Sequence, residues 1–212
     1  MAKIKILLAD DHEIVRSGLA SMLNSYDDFE VIKEIPNGEK AYQAYTELLP
    51  DVLITDMSMP GIGGLEALRR ICAKFRNARI IVFSMHENAS LAMQAMSAGA
   101  KGYVTKSGDS QDLVDAIRQV IRGKNYLSAE MAQKIAMQSV SGSDDPTQRL
   151  STREFEVFRL LAEGLTISQV ASQLNLEAKT IANYQTMLKH KLGFSSSAEM
   201  VRLAIKYGVV SD

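Results

Sequence analysis

Apolar residues along this chain follow two rhythms. In the first two thirds they form short runs rich in branched residues: Ile4-Lys5-Ile6-Leu7-Leu8-Ala9, Val52-Leu53-Ile54-Thr55, Ile80-Ile81-Val82-Phe83 and Gly102-Tyr103-Val104-Thr105. Amphipathic stretches of helical length separate them, and such runs read as buried parallel strands. The spacing predicts strands near 4–9, 30–35, 52–55, 80–83 and 102–105, and helices near 12–25, 38–49, 63–75, 89–98 and 110–122. Five strand–helix repeats specify a doubly wound α/β sandwich. The last third is helical throughout. Ser151-Thr152-Arg153-Glu154, Thr166-Ile167-Ser168-Gln169 and Ser196-Ser197-Ala198-Glu199 each fit a capping box, in which a hydroxyl caps the N3 amide and the N3 side chain reaches back. They open helices near 152–163, 167–174 and 197–207. In the intervening stretch Ala178 to Leu192, Ile181, Leu188 and Leu192 face inward, and Lys179, Ala182, Asn183, Thr186, Lys189 and His190 occupy the opposite face. With the short turn around Asn175-Leu176-Glu177, this predicts a helix-turn-helix inside a small all-α, four-helix domain.

Length and charge agree with two units. At 212 residues, 46% hydrophobic and 23% charged, the chain suits one to two domains of about 100–200 residues each. The stretch 139–148 lacks periodicity and is built from turn formers, so it reads as a flexible linker, with a short helix over Ala129 to Met137 before it. The expected division is 1–124, a connecting segment 125–147, and 148–212. Up to Pro146 the chain holds 16 Lys+Arg and 19 Asp+Glu (net −3), and beyond it 8 and 6 (net +2). No stretch approaches the roughly 18 apolar residues that span a bilayer. The amino terminus runs straight into a strand, so no membrane association and a cytoplasmic location are expected. One cysteine, Cys72, excludes an internal disulfide framework and fits a buried helix face.

The candidate chemistry lies where the strands stop. Asp10, Asp11 and Asp56 follow two of the runs, and Ser84 and Lys106 follow two more. In an open parallel sheet the carboxyl ends of neighbouring strands converge on one crevice. Three carboxylates there either retain a proton or bind a divalent cation, and an all-oxygen donor set suits Mg²⁺ or Mn²⁺. A bound hard cation invites phosphate, towards which a carboxylate is a competent nucleophile, while Lys106 clamps the phosphoryl oxygens. No glycine-rich phosphate loop follows the first strand, so a nucleotide cradle is disfavoured.

Leu8-Ala9-Asp10-Asp11-His12, Asp56-Met57-Ser58-Met59-Pro60-Gly61, Ser84 and Lys106 resemble the receiver domain of bacterial two-component response regulators, whose fold is flavodoxin-like with five βα repeats. The resemblance implies that Asp56 is the phosphoacceptor and that Asp10, Asp11, Asp56 and the backbone carbonyl of Ser58 hold Mg²⁺ (or Mn²⁺). It further implies that Ser84 is the switch hydroxyl, Tyr103 the aromatic switch and Lys106 the phosphate-contacting lysine. Enzymatic activity would not exceed slow self-catalysed phosphoryl transfer and dephosphorylation at Asp56. Many receivers follow the lysine with a cis proline; Ser107 stands there, so no such constraint is expected. An aspartyl phosphatase would share the metal and the acyl phosphate, but such enzymes generally carry an acid two residues after the nucleophile, where this chain has Ser58.

Leu150-Ser151-Thr152-Arg153-Glu154, Lys179-Thr180-Ile181-Ala182-Asn183-Tyr184 and Lys191-Leu192-Gly193 are similar to the DNA-binding domain of LuxR/NarL/FixJ regulators. That similarity implies base-edge positions at Ala182, Asn183 and Thr186 and backbone contacts from Lys179 and Tyr184, with Lys189 on the same DNA-facing side. Glu177 departs from the family's usual serine cap, at a cost of roughly 0.5–2 kcal/mol. Together the two resemblances imply a transcriptional regulator phosphorylated by a sensor histidine kinase or phosphotransfer protein, dimeric when phosphorylated, bound to paired DNA half-sites and able to contact RNA polymerase. A helical module that binds a partner protein instead of DNA is the other alternative. Met57, Met59, Met85, Met93 and Met96 read as gap-filling core residues, although Met85, next to Ser84, is also placed to restrict access to a phosphoryl group.

Overall fold

A computed structural model describes residues 3–140, 145–174 and 176–210. The chain divides into two compact units, 1–137 and 138–212. No helix among the described residues is long and apolar enough to cross a membrane.

The first unit is a parallel sheet with helices on both faces. Its strands are β1 (Ile4–Ala9), β2 (Phe29–Ile35), β3 (Val52–Thr55), β4 (Ile80–Ser84), β5 (Gly102–Thr105) and β6 (Tyr126–Leu127), in the order β2-β1-β3-β4-β5-β6. Helices α1 (Glu13–Asn24), α2 (Gly38–Leu48), α3 (Gly63–Lys74), α4 (Ala89–Ser97) and α5 (Ser110–Ile121) alternate with the first five strands, as the periodicity predicts. Strands β1 and β3 are buried on both faces along most of their length, which explains why they read as continuous apolar runs rather than alternating ones. The helices instead bury one stripe: in α5 Leu113, Val114, Ala116, Ile117 and Val120 pack on the sheet. Each large aliphatic side chain so buried contributes roughly 1.5–3 kcal/mol. The strand order reverses direction at β1, so the crevice outside the carboxyl ends of β1 and β3 is the topological switch point where such sheets bind ligands.

The segment 125–147, expected to be a connection, contains more structure than that. Tyr126 and Leu127 add a sixth parallel strand: the Tyr126 amide donates to the Lys101 carbonyl at 2.8 Å, and the Tyr126 hydroxyl donates to Asp112 at 2.8 Å. Two residues are too few to carry a period, so the strand exists because an open edge of β5 accepts it. Helix α6 (Ala129–Val140) follows and buries Met131. At the other end Asp145 is buried and accepts from both the amide and the hydroxyl of Thr147, opening a 3-10 turn over Pro146–Arg149. Of the predicted linker, 141–144 lie outside the described residues.

The second unit contains α7 (Thr152–Ala162), α8 (Ile167–Gln173), α9 (Ala178–Leu192) and α10 (Ser197–Lys206) around Phe155, Phe158, Val170, Ile181, Leu188 and Met200. Ser151 and Thr166 form complete capping boxes with Glu154 and Gln169. The third box is half formed: Ser196 caps the Glu199 amide, but the Glu199 carboxylate reaches the Ser195 amide and hydroxyl, both at 2.7 Å, rather than the Ser196 amide. Asn175, in the turn between α8 and α9, lies outside the described residues. Glu177 is the N-cap of α9 and makes no side-chain capping bond, in keeping with a carboxylate too long for the position.

Candidate functional site

The parallel register brings the strand ends level. Ala9 pairs with Thr55, Thr55 with Val82 and Ser84 with Thr105, so Asp10, Asp56, Ser84 and Lys106 arrive at one edge of the sheet. Backbone bonds fix them there: Asp56 donates to the Ala9 carbonyl at 2.8 Å, and Lys106 to the Ser84 carbonyl at 2.8 Å. Asp10 and Asp56 are only 1% and 4% exposed. The Lys106 ammonium lies between them, donating to Asp10 Oδ2 at 2.6 Å and Asp56 Oδ2 at 2.8 Å. Burial alone would push the lysine down, but Asp56 and Asp10 override it and hold its pKa above the ordinary value. The other carboxylate oxygens accept backbone amides, Asp10 Oδ1 from His12 at 2.8 Å and Asp56 Oδ1 from Ser58 at 3.3 Å.

One ammonium does not balance three carboxylates. Ligand atoms of Asp10, Asp11, His12 and Asp56 all lie within 4.8 Å of one another. Asp11 Oδ1 is buried without a hydrogen bond; His12 Nδ1 stands 3.1 Å away but out of alignment. Burial raises the Asp11 pKa; His12 opposes this, while Asp56 and Asp10 reinforce it. A buried carboxylate oxygen that makes no hydrogen bond, beside two further carboxylates, fits a hard divalent cation.

The loop after Asp56 is shaped by glycine. A Cβ on Gly64 would stand 1.7 Å from the Asp56 carbonyl oxygen, so only glycine lets α3 start against the end of β3. Glu39 of α2 braces the same loop by accepting the Ile62 amide at 2.9 Å.

Across the crevice Ser84 is fully buried, and its hydroxyl oxygen accepts the His86 amide at 3.2 Å. Tyr103 is fully buried and donates its hydroxyl to the His86 carbonyl at 2.7 Å. Burial drives its ionisation far above the ordinary range, with Ser84 acting in the opposite sense. The ring therefore already occupies the interior. His86 Nε2 is 3.1 Å from the Ser58 hydroxyl, a link that joins the β3–α3 and β4–α4 loops over the crevice. Beside it Glu87 accepts Ser107 at 2.6 Å and Lys134 of α6 at 3.0 Å. Met57 and Met59 are core residues as expected, whereas Met85 is 67% exposed and fills no gap.

The second candidate surface is α9. Lys179, Asn183, Thr186 and Lys189 are exposed, and Ala182 and Tyr184 are half-buried. The sequence reading passed over Met187, which is 43% exposed one turn beyond Asn183; its place at i+4 from Asn183 was the available signal. Lys191 is committed inside the unit: its ammonium reaches both Glu154 oxygens, at 2.7 and 2.8 Å, pinning the end of α9 to the start of α7.

Comparison with known proteins bears on both sites. Residues 6–118 match the response regulator receiver domain, and residues 148–204 match the bacterial regulatory proteins of the luxR family. The chain is 36% identical over 208 residues to response regulator UvrY of Escherichia coli K12, covering 97% of this chain and 95% of that protein. It is 39% identical over 208 residues to the transcriptional activator protein ExaE of Pseudomonas putida, covering 97% of each. Among solved structures it resembles RcsB from Salmonella enterica serovar Typhimurium bound to promoter rprA in the presence of phosphomimetic BeF3-. That likeness has a TM-score of 0.67 and 28% identity, and covers 95% of this chain and 98% of that one.

Proposed function

Because this chain belongs to the two-component response regulators that join a receiver domain to a luxR-family regulatory domain, we propose that it binds DNA under the control of phosphorylation at Asp56. It is a regulator rather than an enzyme. The observation that carries the reading is the buried Asp56 carboxylate, held at the switch point by Lys106 beside an Asp11 oxygen that makes no hydrogen bond.

An Asp56 oxygen attacks the phosphorus of a phosphohistidine on a sensor histidine kinase or phosphotransfer protein. A P–O bond forms, the P–N bond breaks, and the imidazole leaves with the electron pair. Lys106 exchanges its bond to Asp56 for one to a phosphoryl oxygen. Asp10, Asp11, Asp56 and the Ser58 carbonyl would hold Mg²⁺ or Mn²⁺, which when bound offsets the charge of the incoming group. The phosphoryl group adds about −1.5 to −2 charges, and the Ser84 hydroxyl turns from the His86 amide to donate to it. The β4–α4 loop then moves with His86, whose carbonyl holds Tyr103.

The phosphoacceptor unit is 1–124 extended by β6 and α6, and the DNA-binding domain is 148–212. One such domain with net +2 binds DNA weakly, in the non-specific range of roughly 10⁻⁴–10⁻⁶ M. Pairing two copies raises affinity by about 10²–10⁴, so phosphorylation acts by promoting a homodimer on paired half-sites. Lys179, Tyr184 and Lys189 contact the backbone, Ala182, Asn183 and Thr186 face base edges, and the bound dimer is positioned to contact RNA polymerase. The protein works in the cytoplasm, where its kinase and DNA are accessible.

Intact-mass measurement after incubation with Mg²⁺ and acetyl phosphate tests the first step. One hydroxylamine-labile phosphoryl group on the wild type and none on Asp56→Asn is expected; equal labelling of both overturns the assignment.

A further inference from the structure

The reading stripe of α9 carries a chemistry that points to a particular base pair, an inference that rests on the DNA-binding reading above. The commonest specific base contact in the major groove is Arg or Lys on guanine O6 and N7. No cation stands at the middle of this stripe. Lys179, in the first turn of α9, is the residue given above to the DNA backbone, and Lys189 lies two residues past the stripe's last apolar position, Met187. Lys191 is held by Glu154, and His190 lies about 10 Å along the axis from Asn183, at the end of the helix away from the amino-terminal turns that meet base edges in helix-turn-helix docking. Between these ends the stripe presents one carboxamide, the Thr186 hydroxyl and apolar groups. Among the described residues, Asn183 makes no side-chain hydrogen bond, so both its donor and its acceptor are available. The Thr186 hydroxyl donates to the Ala182 carbonyl at 3.1 Å, which spends its proton within the helix. Met187, 43% exposed, adds a thioether arm one turn from Asn183.

We propose that α9 reads A·T pairs. The Asn183 carboxamide donates to N7 and accepts from the N6 amine of one adenine, and the Thr186 methyl and Met187 cover thymine methyl groups of adjoining pairs. A carboxamide matches adenine's donor–acceptor pair, and apolar groups match the C5-methyl that only thymine presents.

The test is selection of binding sites from a pool of random duplexes by the intact protein, with and without Mg²⁺ and acetyl phosphate, followed by affinity measurements on the selected half-site and its single-pair variants. Wild-type sites should carry A·T at the central contacted positions. Replacing the Asn183-paired adenine by guanine should weaken binding on the order of 10- to 100-fold. Asn183→Ala should abolish that preference, and Asn183→Arg should transfer it to guanine. Selection of G·C at those positions overturns the inference, as does an Asn183→Ala variant that binds every duplex more weakly by the same factor and keeps the wild-type preference. Absence of salt-dependent binding to any duplex by the wild type overturns the DNA-binding reading itself, and this inference with it.

Discussion

The Tyr103 hydroxyl donates to the backbone carbonyl of His86 at 2.7 Å. This bond ties the last inward ring of β5 to the loop whose preceding residue but one, Ser84, lies at the crevice where the strands end. The ring is already inside. Tyr103→Phe should keep the ring buried and remove the hydrogen bond, lowering stability by about 0.5–1.5 kcal/mol. It should also weaken the link between phosphorylation and DNA affinity. Denaturant unfolding, with DNA binding measured with and without acetyl phosphate, checks both; an unchanged phosphorylation response would detach Tyr103 from the switch.

Lys106→Ala leaves Asp10 and Asp56 buried without their shared ammonium. Breaking a buried pair in this way costs about 3–5 kcal/mol. A divalent cation can replace part of the lost charge, so Mg²⁺ at one hundred times its dissociation constant should restore about 2.7 kcal/mol. Melting of the variant with and without Mg²⁺ measures this, and a variant whose melting ignores Mg²⁺ would contradict the cation assignment.

Gly64→Ala places a methyl carbon 1.7 Å from the Asp56 carbonyl oxygen unless the backbone shifts. The overpacking costs about 1–3 kcal/mol or more. Because the atom displaced belongs to Asp56, phosphorylation by acetyl phosphate should slow more than stability falls. Labelling rates at a temperature where the variant remains folded decide this.

Glu154 links the start of α7 to Lys191 of α9 and accepts the Ser151 amide. Burial pushes its pKa up, but Lys191 and Ser151 outweigh this and the net shift is downward. A carboxylate with a folded pKa below its unfolded value stabilises the fold above the unfolded value, near 4.5, and loses that contribution as pH falls through the folded value. Hydrogen-exchange protection factors of α7 and α9 amides, corrected for the intrinsic rate at each pH, should fall over that window in the wild type. In Glu154→Gln the protection should be lower at neutral pH and should lack this acid-dependent loss.

Much of this could be read directly from the sequence, for reasons visible in particular residues. Strands β1, β3 and β4 are continuous apolar runs because both their faces are covered, and each stops at a polar residue because the sheet edge opens there. Asp10, Asp56, Ser84 and Lys106 were therefore legible as one site. Strand β6 was not, since Tyr126 and Leu127 are held by an available edge rather than by a pattern of their own. Met85 carries the composition of a core residue and the exposure of a surface one, a distinction no local period encodes. Lys191 reads as part of a basic helix face until its partner, 37 residues earlier, is brought alongside. The third capping motif has the right residue types, yet Glu199 prefers the Ser195 amide and hydroxyl together. The Tyr103 acceptor is a main-chain carbonyl, which has no signature in sequence at all.

The most direct test of phosphorylation-controlled DNA binding is titration of the intact protein against a selected duplex, with and without Mg²⁺ and acetyl phosphate, beside Asp56→Ala. Binding should tighten by about 10²–10⁴ in the treated wild type alone. Equal affinity in treated wild type, untreated wild type and Asp56→Ala would contradict control of DNA binding by phosphorylation at Asp56.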